Sequence, residues 1–210
     1  MEKNTVKIPP NHLNVGTFKH ITEVEGPGKR FALWVQGCPY RCPGCCNPHL
    51  LEFKENKFTP ILDIFNEILS VSDKIEGVTF IGGEPFAQAV ALASLAEMIQ
   101  NIGLSVMIFT GHKMSLLKNG TIEGADDLIR FSDIIVDGRF VQKSASMNRR
   151  YIGSDNQNIH ILSDKYKHLI DNWPSGDDGI EFTFQNNELI INGYPHPDIT
   201  KLIQNGLKFV

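Results

Sequence analysis

Four cysteines lie within nine residues, at Cys38, Cys42, Cys45 and Cys46, and the other 201 positions contain none. A disulfide framework spreads its cysteines so that distant segments are cross-linked. A run this tight instead marks a loop that holds a metal or a metal–sulfur group. Cys38-x3-Cys42-x2-Cys45 puts three thiolates within reach of three corners of a cubane iron–sulfur cluster, and Pro39, Pro43 and Gly44 supply the tight backbone turns. Cys46 adjoins Cys45, so its side chain is expected to point away from the same cubane face. The fourth iron is then left without a cysteine, open to a small molecule that chelates through an amino group and a carboxylate. A structural zinc knot of Cys38, Cys42 and Cys45 with Cys46 or His49 is the competing use, although zinc ligands usually come as two separated pairs.

The rest of the chain is ordinary for a globular protein. It has 210 residues, 41% hydrophobic and 21% charged, with 20 Lys+Arg against 24 Asp+Glu for a net charge of −4. That is enough apolar surface for a core and too little charge imbalance for disorder. The mild acidity argues against binding bulk nucleic acid, which needs a basic excess. No apolar run exceeds five residues, Phe31 to Val35 being one, so neither a membrane span nor a signal-peptide core is expected and the cytoplasm is the expected location.

Strands and helices alternate after a polar lead-in over residues 1–12. Residues 30–36 read as a strand that ends at Gly37 and feeds the cysteine loop. Ile61, Ile64, Phe65 and Ile68 repeat at helical spacing behind Thr59-Pro60, and residues 78–81 form a short buried strand ending in Gly82-Gly83-Glu84-Pro85. Leu92, Leu95, Ala96 and Ile99 mark the next helix, stopped by Gly103. A strand over 104–109, helical stretches near 113–117 and 125–130, and a strand over 134–136 follow. Strands separated by helices call for right-handed crossovers and a parallel sheet, an open α/β sheet or partial barrel. Its strand-end loops gather on one side, bringing together the cysteine loop, the 82–85 turn and Thr110-Gly111-His112. Near the C-terminus, alternation at Ile180, Phe182 and Phe184 and at Leu189 and Ile191, with a turn at Asn186-Asn187, predicts a hairpin added to the sheet's edge.

The cysteine spacing with a downstream Gly82-Gly83-Glu84-Pro85 resembles the radical S-adenosylmethionine (SAM) superfamily. Gly26-Pro27-Gly28, Trp34-Val35-Gln36-Gly37-Cys38, Cys42-Pro43-Gly44-Cys45, Asn47-Pro48, Phe109-Thr110-Gly111, Val136-Asp137-Gly138 and Gly153-Ser154-Asp155-Asn156-Gln157 narrow it. They resemble the activating proteins of anaerobic (class III) ribonucleotide reductases and related single-cluster glycyl-radical activases, over roughly residues 13–162. The resemblance implies a radical SAM partial (β/α) barrel over residues 13–170, with residues 171–210 as a hairpin and helix packed on the same domain. It implies a 4Fe–4S cluster on Cys38, Cys42 and Cys45, with SAM on the open iron. Reductive cleavage would yield methionine and a 5′-deoxyadenosyl radical, which takes a hydrogen from a glycine of a reductase partner. A low-potential donor, flavodoxin or ferredoxin, would supply the electron; no membrane and no nucleic acid enter. By the same resemblance Gly82, Gly83, Glu84 and Pro85 hold the amino end of SAM, while Thr110 and Asp137 face SAM or its ribose. Gly44 occurs in the same place in the activase group. His112 stands where relatives often have tyrosine.

Plainer readings exist for each feature. The 82–85 turn alone could be a tight strand-to-helix connection with Glu84 at a helix N-terminus. Thr110 and Asp137 could be caps. Arg139, Lys143, Arg149 and Arg150 could bind the SAM carboxylate, dock an acidic partner or simply be solvated. Phe182, Phe184 and Trp173-Pro174 are expected to pack the hairpin, and His160 to be a satisfied strand residue. Two other functions also fit the motifs: a radical SAM enzyme acting on a small molecule or nucleoside precursor, as in the queuosine pathway, and a non-catalytic iron–sulfur or zinc module.

Overall fold

The structure, a computed structural model, describes residues 6–146, 148–176, 179–185 and 188–193. Nine strands and four α-helices are built from them. They are β1 (His12–Thr22), β2 (Arg30–Val35), β3 (Lys57–Pro60), α1 (Ile61–Leu69), β4 (Gly77–Gly82), α2 (Ala89–Asn101), β5 (Ser105–Thr110), α3 (Met114–Leu117), α4 (Ala125–Arg130), β6 (Ile134–Asp137), β7 (Asn158–Ile161), β8 (Ile180–Gln185) and β9 (Glu188–Gly193). One sheet runs β3-β1-β2-β4-β5-β6-β7. The middle four strands, β2, β4, β5 and β6, are parallel, as their helical crossovers require; β1 and β7 flank them antiparallel, and β3 pairs antiparallel with the outer edge of β1. This is a mixed α/β fold with a C-terminal hairpin. Among the described residues no helix is long and apolar enough to cross a membrane.

Strand alternation divides the parallel strands into two faces. Phe31, Leu33, Val35, Val78, Phe80, Val106, Ile108 and Ile135 point to one side, where they meet Ile64 and Ile68 of α1, Leu92, Leu95 and Ile99 of α2 and Leu128 of α4. All four helices contribute to this one layer. The opposite face has no helix of that layer over it. Trp34 packs there with Leu50 and Ile81, and Met107, Ile134 and Val136 with Tyr151, Ile152 and Tyr166. A cavity opens above this second face.

The N-terminal end of that face is closed by Arg30, which is wholly buried. Its Nε donates to Thr79 Oγ1 at 2.7 Å and its NH2 group to the Val78 carbonyl at 2.7 Å, while NH1 reaches Pro27 O and Ser105 Oγ, both at 3.2 Å. Tyr166 links this group to Glu76, accepting from Arg30 and donating to the Glu76 carboxylate. Burial pulls the guanidinium's pKa down, and Tyr166 and Glu76 oppose that pull.

Several expectations need correcting. The hairpin does not extend the large sheet; β8 and β9 form a two-stranded sheet of their own. The antiparallel strands at both ends escape an argument built on crossovers alone, and β1 begins at His12, inside the supposed lead-in. Phe182 is half exposed on the hairpin. Trp173 packs edge-on against Tyr151 and donates to the Arg150 carbonyl rather than to the hairpin. Asn186-Asn187 and residues 194–210 of the segment 171–210 expected to hold a hairpin and helix lie outside the described residues, and Phe184 belongs to β8 through its backbone. His160 does sit in a strand, β7.

Arg30→Ala takes away the donors of several buried acceptors, so it is expected to lower unfolding free energy by about 3 kcal/mol or more. Urea unfolding of the two proteins measures this difference.

Candidate cluster site

Hydrogen bonds at its base close the cysteine loop into a fixed frame. The Gly37 N–H donates to Leu50 O at 2.8 Å and that of Cys38 to Leu51 O at 3.1 Å, while the Cys45 N–H turns back to Cys42 O at 3.1 Å. An amide network holds the frame to the sheet. Gln88 Nε2 donates to the carbonyls of Asn14 and Gln36, both at 3.1 Å, its Oε1 accepts from Asn14 N, and Gln36 Nε2 donates to Glu52 O at 2.6 Å. Gln36 lies in a quoted motif. Asn14 and Gln88 carried no sequence signal.

All four cysteines line the cavity. Cys38 is buried, Cys42 and Cys45 half-buried, and Cys46 exposed as a residue. Burial pushes the Cys38 thiol up to about 11 and also raises Cys42. The neighbouring Cys46 thiol lowers the Cys45 pKa to about 6 against burial. Cys46 lines the same cavity, and its Sγ accepts from Asn47 Nδ2 at 3.5 Å. Soft sulfur donors suit iron. Together with a compact loop opening on one cavity, this donor set fits an iron–sulfur cluster.

The Gly82-Gly83-Glu84 turn lies directly against the loop's base because β2 and β4 are parallel neighbours, Val35 pairing with Gly82. The Gly83 N–H donates to Val35 O at 2.7 Å and that of Glu84 to Gly37 O at 2.8 Å. A Cβ on Gly83 would fall 2.4 Å from the Gly37 carbonyl oxygen, and Gly82 adopts φ +106° with Trp34 and Val35 backbone beneath it. Only glycine permits this approach. Those two N–H groups are spent on β2 and the residue Gly37 beyond it, and Gly82, Gly83 and Glu84 all line the cavity.

Glu84 is 1% exposed. Its Oε1 accepts from Phe86 N at 3.0 Å and Thr110 Oγ1 at 2.7 Å, and Oε2 accepts from Gly111 N at 2.8 Å. Three of the roughly four lone-pair sites are used, so one further donor can be held. Burial raises its pKa to about 7 against these three bonds. Pro85 starts the short 3-10 turn that Glu84 caps and does not line the cavity.

Thr110 and Asp137 share the parity of the helix-facing residues Ile108 and Ile135. Thr110 lines the cavity at the strand's end, but its hydroxyl is given to Glu84. Asp137 is a clearer correction: it is not among the cavity-lining residues. Its carboxylate accepts from Met114 N at 2.7 Å, Asn158 Nδ2 at 2.9 Å, His160 Nε2 at 3.0 Å and Lys113 Nζ at 3.2 Å, and these bonds hold its pKa down against burial. It is the cap of α3.

The basic stretch also divides. Arg149 donates to the carbonyls of Ser154, Asp155 and Gln157 and so braces a loop, whereas Arg139 lines the cavity with its guanidinium 3.9 Å from the Tyr40 ring centroid. Tyr40, in the cysteine loop, is hydrogen-bonded to His112 Nδ1. Burial and then Arg139 lower the His112 pKa, which favours the neutral ring. Tyr40 thus fastens the cysteine loop to the loop after β5. Sequence reasoning missed it, although it stands between the first two cysteines.

The cavity has a volume of about 740 Å³. Trp34, Ile81 and Phe109 form an apolar floor, residues of β1 one wall, and Gly138, Arg139, Phe140 and Gln157 the opposite rim. Residues 24–160 match the model of the 4Fe-4S single cluster domain. The chain belongs to that family. It is 28% identical over 158 residues to the anaerobic ribonucleoside-triphosphate reductase-activating protein of Escherichia coli strain K12, covering 71% of this chain and 99% of that protein. The protein of the same name from Vibrio cholerae serotype O1 is 27% identical over 156 residues, with 70% and 97% covered, and that of Enterobacteria phage T4 is 28% identical over 148, with 67% and 89% covered. Among solved structures, QueE from Escherichia coli overlaps with TM-score 0.38 at 18% identity, over 60% of this chain and 69% of that one. The radical SAM resemblance therefore holds, and the cofactors that go with it are a 4Fe–4S cluster and SAM.

The raised Glu84 pKa has a consequence for stability. An unfolded Glu84 loses its proton near the ordinary 4.5 and the folded one near 7, so folded-state stability falls as pH rises from about 4.5 to about 7. The contribution is ~3 kcal/mol. Urea midpoints of the cluster-free protein at pH 5 and pH 7.5 are expected to differ in that sense, and Glu84→Gln to reduce the difference.

Proposed function

We propose that the chain is a radical SAM activase, built as a partial (β/α) barrel, that installs a glycyl radical on an anaerobic ribonucleotide reductase. The observation that carries this reading is the contact of two motifs on one cavity: a three-thiol loop and a Gly-Gly-Glu turn joined at Gly37 and Gly83. The names of the similar proteins support the reductase as target.

Cys38, Cys42 and Cys45 would hold three irons. When bound, the cluster and SAM supply one-electron cleavage of the sulfonium to methionine and a 5′-deoxyadenosyl radical, which takes hydrogen from the partner's glycine. The carbonyls of Gly82 and Gly83 and the remaining acceptor position on Glu84 would take the ammonium of SAM. Thr110 and Gly111 keep that carboxylate aimed, and Pro85 fixes the turn behind it. Trp34, Ile81 and Phe109 form a dry floor that protects a reactive radical from quenching. Asp137 acts as a positioning residue by fixing the start of α3. A flavodoxin or ferredoxin would deliver the electron, in the cytoplasm, to a domain spanning residues 13–170.

The test mixes anaerobically reconstituted protein, reductant and SAM with a candidate reductase. A persistent glycine-centred spin signal, together with 5′-deoxyadenosine, is expected. Deoxyadenosine without any protein radical would point to a small-molecule or nucleoside target, and no deoxyadenosine from a fully loaded cluster would reject catalysis.

A further inference from the structure

The match to the family ends at residue 160, and the Escherichia coli relative is covered almost end to end by 71% of this chain. The β8–β9 hairpin lies beyond that match, yet Asn192 and Gly193 line the cavity together with Val24, Glu25 and Cys46. Glu181 and Asn192 are cross-strand partners, so their side chains share one face of the hairpin. That face is fastened to β1. Glu181 Oε2 accepts from Lys19 Nζ at 2.7 Å and Thr22 Oγ1 at 2.8 Å, and Oε1 accepts from the Glu23 N–H at 2.8 Å. Asn192 Nδ2 donates to the same Thr22 hydroxyl at 2.9 Å. Thr22 is buried beneath the contact, and Gly193 lies close over Val24.

We propose that the hairpin is a latched wall of the cluster cavity, held to β1 by Glu181. It closes the β1 side to water, dioxygen and small chelators and leaves the Arg139–Gln157 rim as the way in. One carboxylate collects three donors from β1 and the residue after it, and charge-assisted bonds of this kind are the strong ones. An isolated two-stranded hairpin is marginal in water, so its position depends on such a fastening. Lys19 and the other two donors hold the Glu181 pKa below its ordinary value against burial, so the latch stays charged at neutral pH. The inference rests on the cluster reading of the three thiols and not on the identity of the radical's target.

The full-length protein loaded with its cluster gives the test. Bleaching of the cluster absorbance in dilute air and iron transfer to a ferrous chelator are followed for wild type, Glu181→Ala, Glu181→Gln and Asp164→Ala, with hydrogen exchange over residues 180–193. Glu181→Ala is expected to speed both iron readouts and hairpin exchange about tenfold. Glu181→Gln, which keeps an acceptor but loses the charge facing Lys19, is expected to fall between. Asp164→Ala, removing an exposed pair with Lys167, is expected to match wild type. Faster hairpin exchange with unchanged cluster loss would show that the hairpin is no barrier, and unchanged exchange in Glu181→Ala would show that Glu181 is no latch. Failure of wild type to load a cluster would overturn the cluster reading itself, and this inference with it.

Discussion

The approach of Gly83 to the Gly37 carbonyl is the contact on which the site depends. Two parallel strands, β2 and β4, end at the same level, and the N–H groups of Gly83 and Glu84 are given to the carbonyls of Val35 and Gly37. A side chain at residue 83 would separate the strand ends and, with them, the thiols from the Gly-Gly-Glu turn. Because backbone makes the join, the relative position of the two motifs does not rely on any rotamer. Glu84 extends it sideways to the end of β5 through Thr110 and Gly111, and Tyr40 crosses the same gap to His112.

The sheet has a division of labour that follows from strand alternation. Residues of one parity meet the helices and supply the core; those of the other floor a cavity, closed at its far end by Arg30. A buried guanidinium with several acceptors is expensive to build and costly to break, and it spans β2, β4, β5 and the segment carrying Tyr166.

Much of this was legible beforehand because periodicity and strand-end glycines are local signals. Helices α1 and α2 and strands β2, β4, β5 and β6 lie where apolar spacing puts them, and the convergence of the three loops follows from parallel connection. What escaped is non-local. The pairing of β1, β3 and β7 depends on partners far away in sequence, as does the Asn14–Gln36–Gln88 amide network. For Asp137 the reason is different: a strand-end position does not say which face a side chain takes, and counting two residues from Ile135 puts it with the helices, where it accepts from Met114 N.

The central claim is that three thiols hold a cluster whose remaining iron faces the Gly82–Glu84 turn and takes the amino acid end of SAM. Electron–nuclear double resonance of the reduced, loaded protein mixed with SAM labelled with 15N in the amino group and 17O in the carboxylate tests it directly. Strong coupling of both labels to the cluster is the predicted result. Coupling to neither, with all four irons bound by cysteine and Cys46 as the fourth ligand, would contradict it.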